Sequence, residues 1–237
     1  MNKYKTIGII GGMGPMATYD LGMKILGKTE ASCDQENIPL LIDCNTRIPD
    51  RTAAILSGGE DPVPEMLKSA WRLEAGGADF LVMACNTAHY FYEKICEETG
   101  IPVLNMPLET ADLLRRNGIK KAGVLATDGT CQADIYGTVL EEMGIEPVYP
   151  SEEMQKVVMS LIYDHVKAGK MDFSDLDIEG LIAEMQQKGA EILILGCTEL
   201  PLAFSKLGPA AGLPTIDPTD VIAEVAVRFA GAPVKGE

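Results

Sequence analysis

Two stretches of the chain carry the same pattern of small and apolar positions. Gly77-Ala78-Asp79-Phe80-Leu81-Val82-Met83-Ala84-Cys85 and Gly189-Ala190-Glu191-Ile192-Leu193-Ile194-Leu195-Gly196-Cys197 align at a constant spacing of 112 residues. Each begins with a small-residue turn and continues as an apolar run too brief for a helix. Such a run suits a strand buried on both faces of a parallel sheet. Each ends in a cysteine at the strand's carboxyl end, where open α/β sheets place their ligand sites. Two equivalent thiols at two equivalent strand ends imply one site facing both.

The pattern around these stretches predicts alternating strands and helices. Thr6–Ile10 reads as a strand, Gly11–Gly14 as a glycine loop, and Pro15 as the first-turn residue of a helix reaching about Lys28. A strand over Pro39–Cys44 leads into the loop Arg47–Thr52 with two cations, of which Arg47 reads as solvated. Helices are expected over Pro62–Ala75 and Ala88–Glu98, the latter capped by Thr87, then a strand over Ile101–Asn105 and a helix over Pro107–Arg116. Near Gly118 the pattern restarts: Lys121–Ala126 echoes the first strand, and Thr127–Thr130 stands where the glycine loop stood. Helices over Gln132–Met143, Glu152–Lys167 and Ser174–Lys188 follow, the last opened by a Ser174/Asp177 capping box, with a strand over Glu146–Tyr149 among them. Leu213–Ile216 reads as a last strand and Pro218–Phe229 as a closing helix.

The predicted fold is α/β: two similar parallel-sheet domains related by pseudo-twofold symmetry, with the active site in the cleft between them. Residues 1–110 plus 212–237 form the first domain and 111–211 the second.

Composition narrows the function. A net charge of −15 argues against nucleic acid, whose recognition needs a basic footprint. An anionic substrate in such a field needs cations placed locally. The six cysteines form no C-x-x-C pair and there are only two histidines, so no metal site is expected. No stretch approaches a membrane span, and the reduced thiols point to the cytoplasm. Gly12-Met13-Gly14-Pro15-Met16-Ala17 matches the loose dinucleotide fingerprint. A tight turn lining some site explains the same glycines. The acidic residue wanted on the ribose also fits poorly, because Asp43 lies inside the second strand.

Cys33, Cys44, Cys96 and Cys131 read as ordinary buried thiols. Cys85 and Cys197 differ: small or hydroxyl residues flank each, and a helix N-terminus is expected beside each. Such surroundings lower a thiol pKa from its free value of about 8.5. Asn86, Thr87 and Thr198 add carboxylate-binding groups. One thiolate then removes the α-proton of an amino acid, and a thiol on the opposite face returns a proton to the planar carbanion. Donors in the site stabilise the charge that develops on the α-carboxylate. Neither pyridoxal nor a metal is required.

Several segments carry a resemblance: Ile9–Pro15, Ile48–Thr52, Met83–His89, Leu125–Thr130, Ile162-Tyr163 with Val166–Gly169, and Gly196–Glu199. In these the chain resembles the aspartate/glutamate racemase family, and is most similar to its cofactor-independent aspartate racemases. The resemblance implies Cys85 and Cys197 as the acid/base pair, and Arg51 and Lys167 as partners of the substrate's side-chain carboxylate. It further implies Met13, Asn86, Thr87, Thr127 and Thr198 as pocket residues, no cofactor, and a homodimer. The glutamate branch carries Asp-Ser where this chain has Gly11-Gly12, and His where it has Glu199. Glu199 is expected to polarise Cys197 or to favour the following helix, and His89 to support the site from behind. The expected substrate is aspartate, with weaker action on glutamate. Alternatives are a broad-specificity or hydantoin racemase, a maleate isomerase, an NAD(P)-dependent oxidoreductase, or a non-catalytic binding protein for acidic amino acids.

Overall fold

The computed structural model describes residues 3–207 and 212–236. The first elements are β1 (Ile7–Gly11), α1 (Pro15–Lys28), β2 (Leu40–Cys44), α2 (Arg51–Leu56), α3 (Val63–Ala75), β3 (Phe80–Met83), α4 (Tyr92–Glu98) and α5 (Met106–Arg116). They are followed by β4 (Lys121–Ala126), α6 (Asp128–Gln132), α7 (Ile135–Glu142), β5 (Glu146–Val148) and α8 (Glu152–Ser160). The last are α9 (Ile178–Gln187), β6 (Ile192–Gly196), α10 (Leu200–Leu207), β7 (Thr215–Ile216) and α11 (Pro218–Ala230). The described residues up to Glu109, with those from Thr219 on, form one compact unit; those from Thr110 to Pro218 form another.

The first unit holds a parallel sheet of order β2-β1-β3. β1 and β3 are apolar and buried along their whole length because both faces are covered, whereas the edge strand β2, which carries Asp43, is only partly buried. Ile7 and Ile9 pack with Leu21 and Ile25 of α1 and with Ile222 and Ala226 of α11. Ile10 turns to the other face, against Met66 and Ala70 of α3. Ion pairs from Lys28 to Asp220 (2.8 Å) and Glu224 (3.5 Å) join α1 to α11 at the surface.

The second unit repeats the plan. Its sheet runs β5-β4-β6-β7, again parallel, so the first strand of each unit is flanked by the second on one side and the third on the other. Leu125, Leu193 and Leu195 pack with α8, α9 and α10, while Val124 and Ile194 face Leu114, Tyr136 and Leu140.

Several expectations are corrected. Ile101–Asn105 contributes a single parallel bridge, Leu81 to Val103, rather than a strand. Pro102 has no N–H to extend the ladder, and α5 begins at Met106. Arg51 is not in a loop but opens α2, whose N-cap Asp50 accepts a hydrogen bond from the Ala53 N–H at 2.8 Å. Thr87 caps nothing. A 3-10 turn over Thr87–Phe91 precedes α4, and Asn86 at its start is already helical in backbone.

The helix expected over Gln132–Met143 breaks at Asp134, which is left-handed at φ 51°. The helix expected to Lys167 ends as a π-helical turn over Leu161–Val166. The cap of α9 is Asp177, not Ser174. β7 adds to β6, so the chain returns to the first unit at Thr219 and not at residue 212.

The glycine loop is explained by the chain itself. Gly12 has φ 91°, and a Cβ there would lie 2.3 Å from the Asn45 backbone. The Thr18 hydroxyl accepts from the Gly12 N–H (2.8 Å) and donates to the Gly14 carbonyl (2.8 Å), closing the turn. These contacts require glycine without a dinucleotide. Gly12→Ala is expected to destabilise the protein by at least about 2 kcal/mol, from the disfavoured backbone and the clash together. Denaturant unfolding of the variant measures this.

Candidate active site

In the first unit, the carboxyl ends of β1, β2 and β3 bring together Met13, Arg51, Cys85, Asn86 and Thr87, all buried. Arg51 is placed by its position at the start of α2. Its guanidinium donates to the carbonyls of Pro49 (2.9 Å), Met13 (3.3 Å) and Ile48 (3.4 Å). Three main-chain oxygens thus fix the plane of a buried cation. Arg47 is exposed, as its loop position suggests.

Cys85 lies two residues beyond β3, and its carbonyl is held by His89. The His89 Nε2 accepts the Met106 N–H at 3.2 Å, so Nδ1 carries the proton and donates to the Cys85 carbonyl at 2.9 Å. A second carbonyl, that of Asn86, lies 3.3 Å from the same nitrogen. Burial pushes this imidazole down to about 4. His89 is therefore neutral, and it fixes the backbone that presents the thiol.

In the second unit, Cys197 follows β6 directly and is buried with Thr198 and Glu199. The Cys197 S–H donates to Glu199 Oε2 at 3.0 Å, and the Thr198 hydroxyl donates to the same oxygen at 3.1 Å. Burial first, then the Glu199 charge, pushes the Cys197 thiol well above its ordinary range; the Lys167 charge pulls the other way. The lowered pKa expected here is thus corrected. Burial, with the carboxylate two residues on adding to it, outweighs the strand-end environment.

Thr127 caps α6, its hydroxyl accepting from the Thr130 N–H at 3.3 Å. Lys167 is exposed at the end of the π turn, its Nζ 4.2 Å from the Tyr163 ring centroid. Of the residues singled out in the sequence, five cluster in the first unit with His89 beside them; Cys197, Thr198 and Glu199 cluster in the second.

One neighbour was missed. Tyr136 of α7 is fully buried, and a Cβ on Gly196 would lie 3.1 Å from its ring. Burial raises its phenol well above the ordinary range, with the charges of Asp217 and Cys197 adding to the effect. The signal for it was the glycine at 196, where the aligned strand has Ala84.

Among the described residues, no group of His, Cys, Asp or Glu side chains could hold a metal ion, and no helix is long and apolar enough to cross a membrane.

A duplicated parallel-sheet unit with a thiol at the end of each third strand defines a class of enzyme. The chain belongs to it: the Asp/Glu/Hydantoin racemase family model matches residues 10–226, which makes the protein an isomerase, an amino-acid racemase. It is 30% identical to the broad specificity amino-acid racemase RacX of Bacillus subtilis (strain 168), over 93% of this chain and 96% of that protein. Its structure is similar to Picrophilus torridus aspartate racemase, with a TM-score of 0.86 at 32% identity, over 98% of this chain and 96% of that one. It is also similar to an aspartate racemase homologue from Pyrococcus horikoshii OT3, with a TM-score of 0.77 at 26% identity, over 96% and 99% of the two chains.

His89 gives the fold an acid sensitivity. Its folded pKa of about 4 lies below the ordinary value of 6.5, so the unfolded chain binds the extra proton first as pH falls. Stability present above about pH 6.5 is lost progressively down to about pH 4, by about 3 kcal/mol from this one group. His89→Gln is expected to flatten that part of the profile, read by denaturant unfolding at several pH values.

Proposed function

We propose that the protein interconverts L- and D-aspartate by two-base proton transfer at the α-carbon, with Cys85 and Cys197 as the bases. The observation that supports this best is the repetition of a buried thiol at the end of the third strand in both units. Nothing in a single-nucleophile reaction calls for the second copy.

The two thiols differ in their neighbours. Cys197 is held as the thiol by its bond to Glu199, whereas Thr87, uncharged, stands at the position equivalent to Glu199. In one direction the Cys85 thiolate takes the α-proton, forming S–H as the C–H bond breaks. The electron pair moves into the α-carboxylate, giving an enediolate. The Cys197 S–H then delivers its proton to the other face of the α-carbon, leaving a thiolate beside Glu199. That state is costly, and the Lys167 charge offsets part of the cost. The reverse direction begins from Cys197 as thiolate and Cys85 as thiol. Backbone N–H groups and the Thr87 hydroxyl hold the α-carboxylate, where charge develops, while Thr198, whose hydroxyl proton goes to Glu199, lines the pocket beside it.

Arg51 supports the choice of an acidic substrate. A guanidinium fixed in plane within a buried pocket suits bidentate capture of a carboxylate. Lys167 is the second cation of this reading, and Met13, Asn86 and Thr127 complete the pocket. The reading carries with it a cofactor-free reaction in the cytoplasm and a homodimer. A second reading, a broader amino-acid racemase, is favoured by the likeness to RacX and by the exposure of Lys167, which leaves a looser grip on the side chain.

In D2O without added cofactor, L-aspartate is expected to yield α-deuterated D-aspartate, followed by NMR and chiral separation. Undeuterated L-aspartate throughout would overturn the assignment. Cys85→Ala and Cys197→Ala are each expected to lower racemisation by about 10²–10⁴-fold with the fold intact. Arg51→Ala is expected to weaken aspartate by about 1.5–3 kcal/mol relative to alanine, read as the ratio of the two kcat/KM values. Equal losses for the two substrates would remove Arg51 from its role.

A further inference from the structure

The π turn between α8 and the loop before α9 is pinned by one side chain. His165 lies on this turn with its ring buried and both nitrogens engaged. Nδ1 is 3.1 Å from the Ser160 carbonyl and Nε2 is 3.0 Å from Asp175 Oδ1. Both partners are acceptors, so both contacts are hydrogen bonds only when the ring carries two protons. The turn itself closes through five-residue hydrogen bonds, Lys167 N–H to the Ile162 carbonyl (3.0 Å) and Lys170 N–H to the His165 carbonyl (2.9 Å). Each π turn admits one residue more than an α-turn and so rotates everything after it. Lys167, the next residue after the turn, takes its direction from that rotation and stands over Tyr163. Phe173 packs against the imidazole at 5.9 Å between ring centroids and closes its other side.

We propose that His165, bonded between Ser160 and Asp175, is a positioning residue that sets the π turn and thereby aims Lys167 at the acidic side chain of the substrate. The inference rests on the reading of Lys167 given above and adds a pH-dependent support to it. The charged groups around the ring are Asp175 and Asp172, which favour the imidazolium, and Lys170, which opposes it. Asp164 and Lys167 stand on or beside the turn, and α10, which shares its core, carries Lys206. The balance raises His165 from its ordinary value, led by the Ser160 carbonyl. A raised folded value means that the doubly bonded clamp is complete below the ordinary histidine range of about 6.5. It is lost as pH rises through the raised value.

The test measures KM and kcat for L-aspartate between about pH 6 and pH 9 in the wild type, Asp175→Asn, His165→Phe and Lys167→Met. Circular dichroism and melting temperature report on folding. A cation that grips the substrate equally before and during reaction affects KM and leaves kcat alone. The wild type is therefore expected to show KM rising with pH. Asp175→Asn should raise KM about fivefold at about pH 6 with kcat within about twofold, and should flatten the rise. His165→Phe should do the same. If it fails to fold, Asp175→Asn decides alone, because that side chain is 70% exposed. Lys167→Met should raise KM at least as much, and adding Asp175→Asn to it should change nothing further. If Lys167→Met raises KM while Asp175→Asn keeps the wild-type KM and its pH profile, the clamp is overturned and the reading of Lys167 stands. An unchanged KM in Lys167→Met overturns both.

Discussion

A buried carboxylate beside a buried thiol is the constraint around which the second unit is built. Glu199 cannot sit 3.0 Å from Cys197 unless hydrogen atoms lie on its neighbours, and the structure supplies them from the Cys197 thiol and the Thr198 hydroxyl. That arrangement stores the proton on sulfur. The Lys167 charge acts on the same thiol and pulls against the Glu199 charge. Removing the Cys197 thiol or the Thr198 hydroxyl leaves the buried Glu199 carboxylate with one donor fewer, a loss that burial makes costly.

The first unit solves a different problem with neutral groups. Its cation is immobilised by three carbonyls, and its thiol is presented by a backbone held through a neutral histidine. The two units share a strand order and an aligned cysteine but no electrostatic design. Duplication supplied the position of the sulfur. The residues one and two places further on, Asn86-Thr87 against Thr198-Glu199, made the two sulfurs unlike.

Much of the fold was legible in the sequence because apolar runs bounded by glycine leave few alternatives for a central parallel strand. The repeated stretch pointed to β3 and β6, and the cluster around Cys85 followed from them. What stayed hidden depends on where side chains turn. Periodicity does not separate an α turn from a π turn over six residues, since Leu161, Ile162 and His165 face the core in either. The direction of the Cys197 shift depends first on how deeply the thiol is buried and then on Glu199 folding back toward the sulfur, neither of which periodicity shows. Thr87 looked like the cap of the following helix, but a 3-10 turn over Thr87–Phe91 puts Phe91 at that position. Ile101–Asn105 has strand composition, but Pro102 and the early start of α5 leave room for one bridge. The placement of β7 was misjudged because a two-residue strand has no pattern of its own, and its partner decides where it belongs.

The position of α11 has a consequence for biogenesis. This helix packs on β1 of the first unit, so the second unit is an insertion within the first, its residues from Thr110 to Pro218 bracketed by segments of its host. On the ribosome the inserted unit is complete before α11 emerges, while Ile7 and Ile9 have α1 over them but still lack the second of their two covering helices. The outer unit must wait for its own last element, and its half-covered sheet is the stage at which a nascent chain of this architecture is most exposed to aggregation.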